Sequence, residues 1–371
     1  MNPGSNGGST SRAVASFVGT VEDSGIAVDP AIVAILGLSG TYNFFLSDLS
    51  VTVSNANSYQ VVITRDGSPI VTLVVTSPGG QEVVSSAADG TPPATGGVLI
   101  DFHVNPLTNP PSNFFQSIVS GTYNHFVSVL APPGSAFNYS GSVIAKNDSN
   151  LGAGRLKLKV FLVGSFAQSN VSAVNTALSV ASSIYAARGI TVDADVFSVS
   201  GGNSIPDPAE GDVFYLSNIN SDAAVNVFMG ETIDAVDNNG LLLGRAGGAP
   251  GAQVPTIKSI VGIDMGNHAG ANGIFNGDEP TTMGGTIAHE VGHFLGLFHP
   301  VEIQTIGSNL GNTTFVLGDT LTDTPSCTVG SQCIANGAVN NLMFPLSDPS
   351  FTQETLSLQQ GQVMNLQPVM D

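Results

Sequence analysis

Residues Thr286–Pro300 read TIAHEVGHFLGLFHP and hold three of the chain's six histidines. His289 and His293 are four positions apart, so on a helix they project from one face, one turn apart. Both imidazoles then reach a single metal ion. Glu290 stands beside the first histidine, where its carboxylate reaches a water bound to that metal. Gly296 falls three residues after His293, where a positive φ lets the helix stop and the chain turn back. That turn delivers His299 as a third nitrogen ligand. Three neutral imidazoles leave the fourth position of a tetrahedral zinc open to water, the arrangement of a catalytic rather than a structural site. His, Glu, His, Gly and His at these fixed spacings arise by chance in a chain of this length on the order of 10⁻⁵ of the time. Thr281 or Thr282 is expected to cap the start of the helix.

Other residues offer weaker chemistry. Cys327 and Cys333 are the only two cysteines. Their spacing is wider than that of a usual zinc pair, and two more ligands would be needed. A disulfide closing a small loop is the expectation in an exported protein, and two reduced thiols in a cytosolic one. After Lys258 the chain has no Lys or Arg, yet it carries Asp264, Asp278, Glu279, Asp319 and Asp323. Acids set among Asn and Gly fit either oxygen-ligated calcium or a solvated face with turn-capping aspartates. His103 and His125 stand alone, and His268, in a turn, reads as a surface histidine.

The elements that must position the histidines are legible in the pattern around them. Arg155–Val163 alternates and then runs apolar, as a strand entering a core. Ser169–Arg188 places Val171, Val174, Leu178, Ala181, Ile184 and Tyr185 at helical spacing, with Gly189 at the stop. Ile190–Val199 is the next strand, and strand, helix and strand in that order predict a parallel crossover. Val225–Met229, Leu241–Arg245 and Ser259–Asp264 are further strands. Upstream, residues 13–150 carry strand signals and almost no helix signal: Thr41–Ser54, Ser58–Arg65, Ile70–Thr76, Val98–Asn105, Phe114–Leu130 and Ser142–Lys146. Asp66-Gly67-Ser68-Pro69 between two of these runs predicts a hairpin. The fold class expected is therefore α+β, with an N-terminal antiparallel β-sandwich over 13–150 and a mixed α/β domain over 151–371. Residues 1–12, rich in Gly, Ser, Asn and Thr, read as a flexible linker.

Composition bounds the function. Nine Lys and Arg against 28 Asp and Glu give a formal charge of −19. Nucleic acids and anionic membrane surfaces need basic patches, so neither is an expected partner. With 42% apolar residues the chain is not of the disordered class. No apolar run is long enough for a transmembrane helix. Scarce Lys and abundant Ser, Thr, Asn and Gly fit a secreted or cell-surface protein, although no charged-then-apolar export signal stands in this chain.

The segment His289–His299 resembles the extended zinc signature HExxHxxGxxH of the metzincin metallopeptidases. Asn341-Leu342-Met343-Phe344-Pro345 is similar to the methionine turn of that family, which implies that Met343 packs as a floor beneath the histidines. Within the family the chain is most similar to the pappalysin-like branch, over about Gly154–Asp371. Gly318–Pro325 resembles the segment that follows the zinc motif there, and Leu356–Met364 the start of the C-terminal helix. Asn239–Ala246 resembles the edge strand that binds substrate, which makes Leu242, Leu243, Gly244 and Arg245 substrate-binding candidates. Lys258–Asp264 resembles the next strand. The resemblance also implies a calcium set of Asp319, Thr322 and Thr324. Pro345 departs from the tyrosine that many metzincins carry two residues after the methionine, and Met343-Phe344-Pro345 is similar to the matrixin turn instead. The implied activity is a zinc-dependent endopeptidase in which Glu290 is the general base. An extended protein or peptide substrate would lie along the edge strand. The N-terminal region would be an accessory module for a surface, glycan or substrate. The alternative is an adhesion or binding protein whose β-sandwich carries the function and whose protease-like domain is inactive.

Overall fold

The computed structural model describes residues 10–35, 39–53, 58–65, 71–76, 82–85, 98–100, 121–135, 137–148, 150–206, 223–234, 242–251, 260–347 and 350–371. The chain is mixed α/β and divides into two compact units. One comprises Ser11–Pro106 with Pro111–Asp148, and the other is built on Ser149–Asp371 with Met1–Thr10 and Leu107–Pro110.

The N-terminal unit contains β1 (Thr10–Ala27), a short helix α1 (Pro30–Ile35), β2 (Asn43–Val53), β3 (Ser58–Arg65), β4 (Val71–Thr76), β5 (Glu82–Ser85), β6 (Val98–Ile100), β7 (Gly121–Ala131) and β8 (Phe137–Asp148). Hydrogen bonds join the strands in the order β5-β4-β7-β2-β1-β8-β3-β6. The pairs β1–β2, β2–β7, β3–β6, β3–β8, β4–β5 and β4–β7 are antiparallel, as in the register of β2 on β7 from Asn43↔Ala131 to Val53↔Gly121. Two expectations need correction. The segment expected as linker up to residue 12 already belongs to β1 from Thr10. The two runs flanking Asp66–Pro69 are both strands, but they do not form a hairpin. β3 pairs with β6 and β8, and β4 pairs with β5 and β7. The Asp-Gly signal specifies a change of chain direction, not a partner. β3 pairs along its whole length with β8, and β4 along its whole length with β7. Asp66–Pro69 itself and His103 lie outside the described residues, and His125 falls on β7 opposite Leu49 and Val75.

The C-terminal unit runs β9 (Gly154–Val163), α2 (Gly164–Ser169), α3 (Val171–Ala186), β10 (Ile190–Val199), β11 (Ser204–Pro206), β12 (Val225–Gly230), β13 (Thr232–Asp234), β14 (Gly244–Ala246), β15 (Ile260–Asp264), α4 (Met265–His268), α5 (Glu279–Phe294), β16 (Val301–Thr305), β17 (Thr314–Leu317), α6 (Gly330–Asn336) and α7 (Leu358–Leu366). Its main sheet has the order β10-β9-β12-β15-β14. β10, β9, β12 and β15 are parallel, and β14 closes one edge antiparallel to β15. The predicted β9–helix–β10 crossover is present, with the helix divided into α2 and α3 at Asn170.

Side-chain alternation along β9 builds two layers of core. Leu156, Leu158, Val160 and Leu162 face α3, α5 and α7 in one cluster, together with Val227, Val261, Ile287 and Val291. Phe161 points the other way, stacked on Phe228 at 4.8 Å and packed with Ile205, Ile233 and Ile260. The chain leaves α3 through Gly189, at φ +73°, and a Cβ there would lie 2.3 Å from the carbonyl oxygen of Gly152. Gly189→Ala is therefore expected to lower stability by at least about 1–2 kcal/mol, the left-handed penalty alone. Urea unfolding of the purified chain measures it.

Candidate metal centre

Helix α5 begins at Glu279, earlier than expected. Pro280 sits in its first turn, and the Glu279 carboxylate accepts the Asn276 amide at 2.7 Å. Thr281 and Thr282 are not caps. They lie inside the helix, and the Thr282 hydroxyl donates to the Asp278 carbonyl. Proline supplies a preset φ and gives up an N–H that the first turn leaves unpaired in any case, so it fixes the start without a side-chain cap. Gly284 lets α5 come close to α3, since a Cβ there would stand 2.6 Å from the Ala177 carbonyl oxygen. Tyr185 of α3 donates its hydroxyl to the Ala288 carbonyl at 2.6 Å, fully buried, one residue before the first histidine. The helix ends as the spacing predicts: Gly296 takes φ +92°, and the Leu297 amide bonds back to the Gly292 carbonyl at 3.0 Å.

That turn brings His299 to the other two histidines. The Nε2 atoms of His289, His293 and His299 stand 3.1 Å, 3.1 Å and 3.3 Å from one another. Each opposite ring nitrogen has an acceptor. His289 Nδ1 is 2.7 Å from the Leu342 carbonyl, His293 Nδ1 is 2.8 Å from the Leu297 carbonyl, and His299 Nδ1 is 3.0 Å from Glu302 Oε1. A carbonyl accepts only, so Nδ1 of His289 and of His293 carries the proton and Nε2 presents a lone pair. The Glu302 carboxylate fixes His299 the same way. Burial, with the neighbouring imidazoles adding to it, holds His289 down to about 4 and His293 well below its ordinary value. The rings of His289 and His293 are thus neutral, the form that binds metal. Three nitrogen ligands at about 2.0–2.1 Å on a tetrahedral ion stand about 3.3–3.4 Å apart. The observed separations match, so the three histidines could hold a metal ion.

Glu290 faces the sheet edge. Its carboxylate accepts the Ala246 amide of β14, and burial, opposed by that bond and by Arg245, pushes it up to about 7. Strand and helix touch at Gly244, where a Cβ would meet Glu290 Cγ and Thr286 Cγ2 at 2.8 Å. The edge strand is shorter than expected. Only Gly244 and Arg245 of the four substrate candidates lie in β14. Leu242 and Leu243 precede it, their carbonyls taken by the Asn267 side chain at 2.7 Å and the Asp264 amide at 3.0 Å. Leu241 lies outside the described residues. His268 beside this segment is buried, not a surface residue, because α4 folds it inward against the strand end.

Met343 is fully buried, and its sulfur would lie 2.8 Å from a Cβ on Gly292, directly against the histidine helix. Cys327 and Cys333 form a disulfide, buried with Val301, Phe315 and Phe344. The calcium candidates do not converge. The Thr324 hydroxyl donates to Asp319 Oδ1 at 2.9 Å, but the Thr322 hydroxyl donates to Gln359 Oε1 at 3.2 Å. Asp319 is raised to about 6 by burial, and its Oδ2 makes no hydrogen bond. Sequence reasoning missed Glu302, Tyr185 and the carbonyls of Leu297 and Leu342. Glu302 had a positional signal, as an acid three positions after the third histidine, whereas the Tyr185 hydroxyl lies 103 residues from its partner and gave none. A backbone carbonyl has none.

No known family model matches the chain, and no curated protein matches it. Among solved structures the chain is similar to TmCBM61, a structure in complex with beta-1,4-galactotriose. Identity is 15% over 37% of this chain and 88% of that one, with a TM-score of 0.17. It is also similar to a chain of infectious bursal disease virus Gx strain, with 11% identity over 38% of this chain and a third (33%) of the viral one, at a TM-score of 0.19. Likenesses at these TM-scores carry no argument, so the functional reading rests on the site itself.

Two outcomes are expected of the centre. Unfolded chains take up protons at an imidazole pKa near 6.5, whereas folded His289 resists down to about 4. The unfolded state therefore binds more protons over that interval, and chelator-treated protein loses stability as pH falls from about 6.5 to 4. Urea midpoints across that range measure this. Glu302→Gln removes the one carboxylate behind a ring and is expected to weaken metal binding roughly 10-fold. Competition with a chromogenic chelator reads that loss.

Proposed function

We propose that the C-terminal unit is a zinc-dependent endopeptidase of metzincin type, nearest the pappalysin-like branch, in an exported protein. One observation carries this reading: three Nε2 atoms converge within 3.3 Å of one another, with the Glu290 carboxylate on the adjacent residue of the same helix. Met343 against Gly292 and the disulfide at Cys327–Cys333 support it. Among the described residues no helix is long and apolar enough to cross a membrane, which is consistent with that setting.

Zinc held by His289, His293 and His299 would supply a Lewis acid and a bound water of lowered pKa. The remaining work falls to the chain. Burial keeps the Glu290 carboxylate near 7, where it can take a proton from the attacking water and return it to the leaving amine. The outer edge of β14 offers main-chain groups to an extended peptide, a mode of binding that tolerates many sequences. Arg245 at that edge favours the ionised form of Glu290. The N-terminal unit fits an accessory β-sandwich with a surface or glycan ligand. A cation at Asp319 would be a calcium ion held by that carboxylate and Thr324, without Thr322.

The test is a protein or peptide-library digest with metal content measured on the same samples. The wild type is expected to hold one zinc per chain and to lose cleavage on chelation. Glu290→Ala is expected to keep the zinc and to lose turnover by about 10²–10⁴-fold. Full activity in that variant would refute the mechanism.

A further inference from the structure

The His289 ring rests on the carbonyl of Leu342, which lies in a segment outside any regular helix or strand. The other half of that same peptide group is the N–H of Met343, and it donates to Asn341 Oδ1 at 2.9 Å. Asn341 thus grips the peptide plane whose opposite end orients the metal ligand. Asn341 is in turn locked by Gln360 in a reciprocal amide pair. Asn341 Nδ2 donates to Gln360 Oε1 at 3.0 Å, and Gln360 Nε2 donates to Asn341 Oδ1 at 3.1 Å. Both residues are buried. Gln360 is held by the start of α7, where Ser357 Oγ accepts its amide at 3.1 Å and its own Oε1 accepts the Ser357 amide at 2.8 Å. Arg188, at the end of α3, donates to the Leu356 carbonyl and fixes that helix start to the rest of the unit.

We infer that Asn341 and Gln360 form a positioning pair that fixes the Leu342–Met343 peptide, and through it the His289 ring, so that the C-terminal helix sets the metal affinity of the site. The inference rests on the metal-site reading above. An apolar residue at 360 leaves the buried Asn341 Nδ2 without its acceptor and Oδ1 with the Met343 amide alone, so the Asn341 amide turns to find a new acceptor for Nδ2 and loosens its hold on the peptide. Nothing else among the described residues holds the Met343 amide. Ser357 serves as the control. Its loss weakens the same helix start but leaves the Asn341–Gln360 pair intact.

The experiment compares wild type, Gln360→Met and Ser357→Ala in the full chain. Zinc affinity is read by chelator competition, and melting temperature on the same samples. The state of the His289 ring is read from its imidazole ¹⁵N shifts in chelator-treated protein. Wild type is expected to show His289 fixed with the proton on Nδ1. Gln360→Met is expected to show averaged tautomers and zinc affinity roughly 10–100-fold lower, and Ser357→Ala to keep wild-type affinity and a fixed ring despite a lower melting temperature. Unchanged ring shifts in Gln360→Met, or an equal loss of zinc affinity in Ser357→Ala, would overturn the inference. A wild type that takes up no zinc would sink the metal reading, while the ring shifts would still decide whether the pair positions His289. Gln360→Asn, one methylene too short to reach Asn341 and Ser357 together, serves if Gln360→Met fails to fold. It is expected to move both readouts the same way.

Discussion

Three imidazoles are held from behind so that their free nitrogens meet. Everything else at the site depends on this. Lone pairs 3.1–3.3 Å apart repel one another, and nothing in the triangle itself would keep them there. The restraint comes from the Nδ1 side, from the carbonyls of Leu342 and Leu297 and the carboxylate of Glu302. Because carbonyls face Nδ1 of His289 and His293, the protons of these rings are committed there, and their converging Nε2 atoms present lone pairs. A cation at the centre would turn the repulsion into attraction, and the three nitrogens could hold one.

The fold supplies that restraint from four directions. Helix α5 carries two of the rings and is pressed against α3 by Gly284 and bonded to it by Tyr185. The turn at Gly296 carries the third ring and also the Leu297 carbonyl that fixes the second. Strand β16 brings Glu302 to the third ring. The Met343 segment supplies both the carbonyl for the first ring and the sulfur that fills the space at Gly292. Burial then does two opposed things to neighbouring groups. It keeps His289 and His293 neutral and raises the Glu290 carboxylate, because in both cases the charged form loses its hydration. One environment therefore shifts the imidazoles and the carboxylate in opposite directions.

The two units were not equally legible. In the C-terminal unit, β9, α3, β10, β12 and β15 follow the sequence pattern closely, since each run is nearly all apolar or strictly periodic and connects to its neighbour in order. In the N-terminal unit the strands β2, β3, β4 and β8 were apparent, but their partners were not. The order β5-β4-β7-β2-β1-β8-β3-β6 joins segments far apart in the chain. Strand runs of similar composition can exchange partners without changing their local pattern, so a turn signal such as Asp66-Gly67 could not settle the pairing.

By itself the sequence determined the histidine cluster: His289, His293 and His299 sit at spacings that a helix and one glycine turn bring together with little help, and Glu290 stands beside the first of them. It also determined the disulfide partners, because only two cysteines exist. The tertiary structure decided the rest of the centre. Leu342, Leu297 and Ala246 act through backbone groups, and any residue offers the same carbonyl and amide, so their identities carry no trace of the role. Glu302, Tyr185, Asn341 and Gln360 do carry side-chain chemistry, but its meaning depends on which distant segment each one meets. The pairing of Asn341 with Gln360 is nineteen residues long in sequence and one hydrogen bond long in space. Only packing brings such groups together, and the interior holds them because a buried polar atom without a partner is costly.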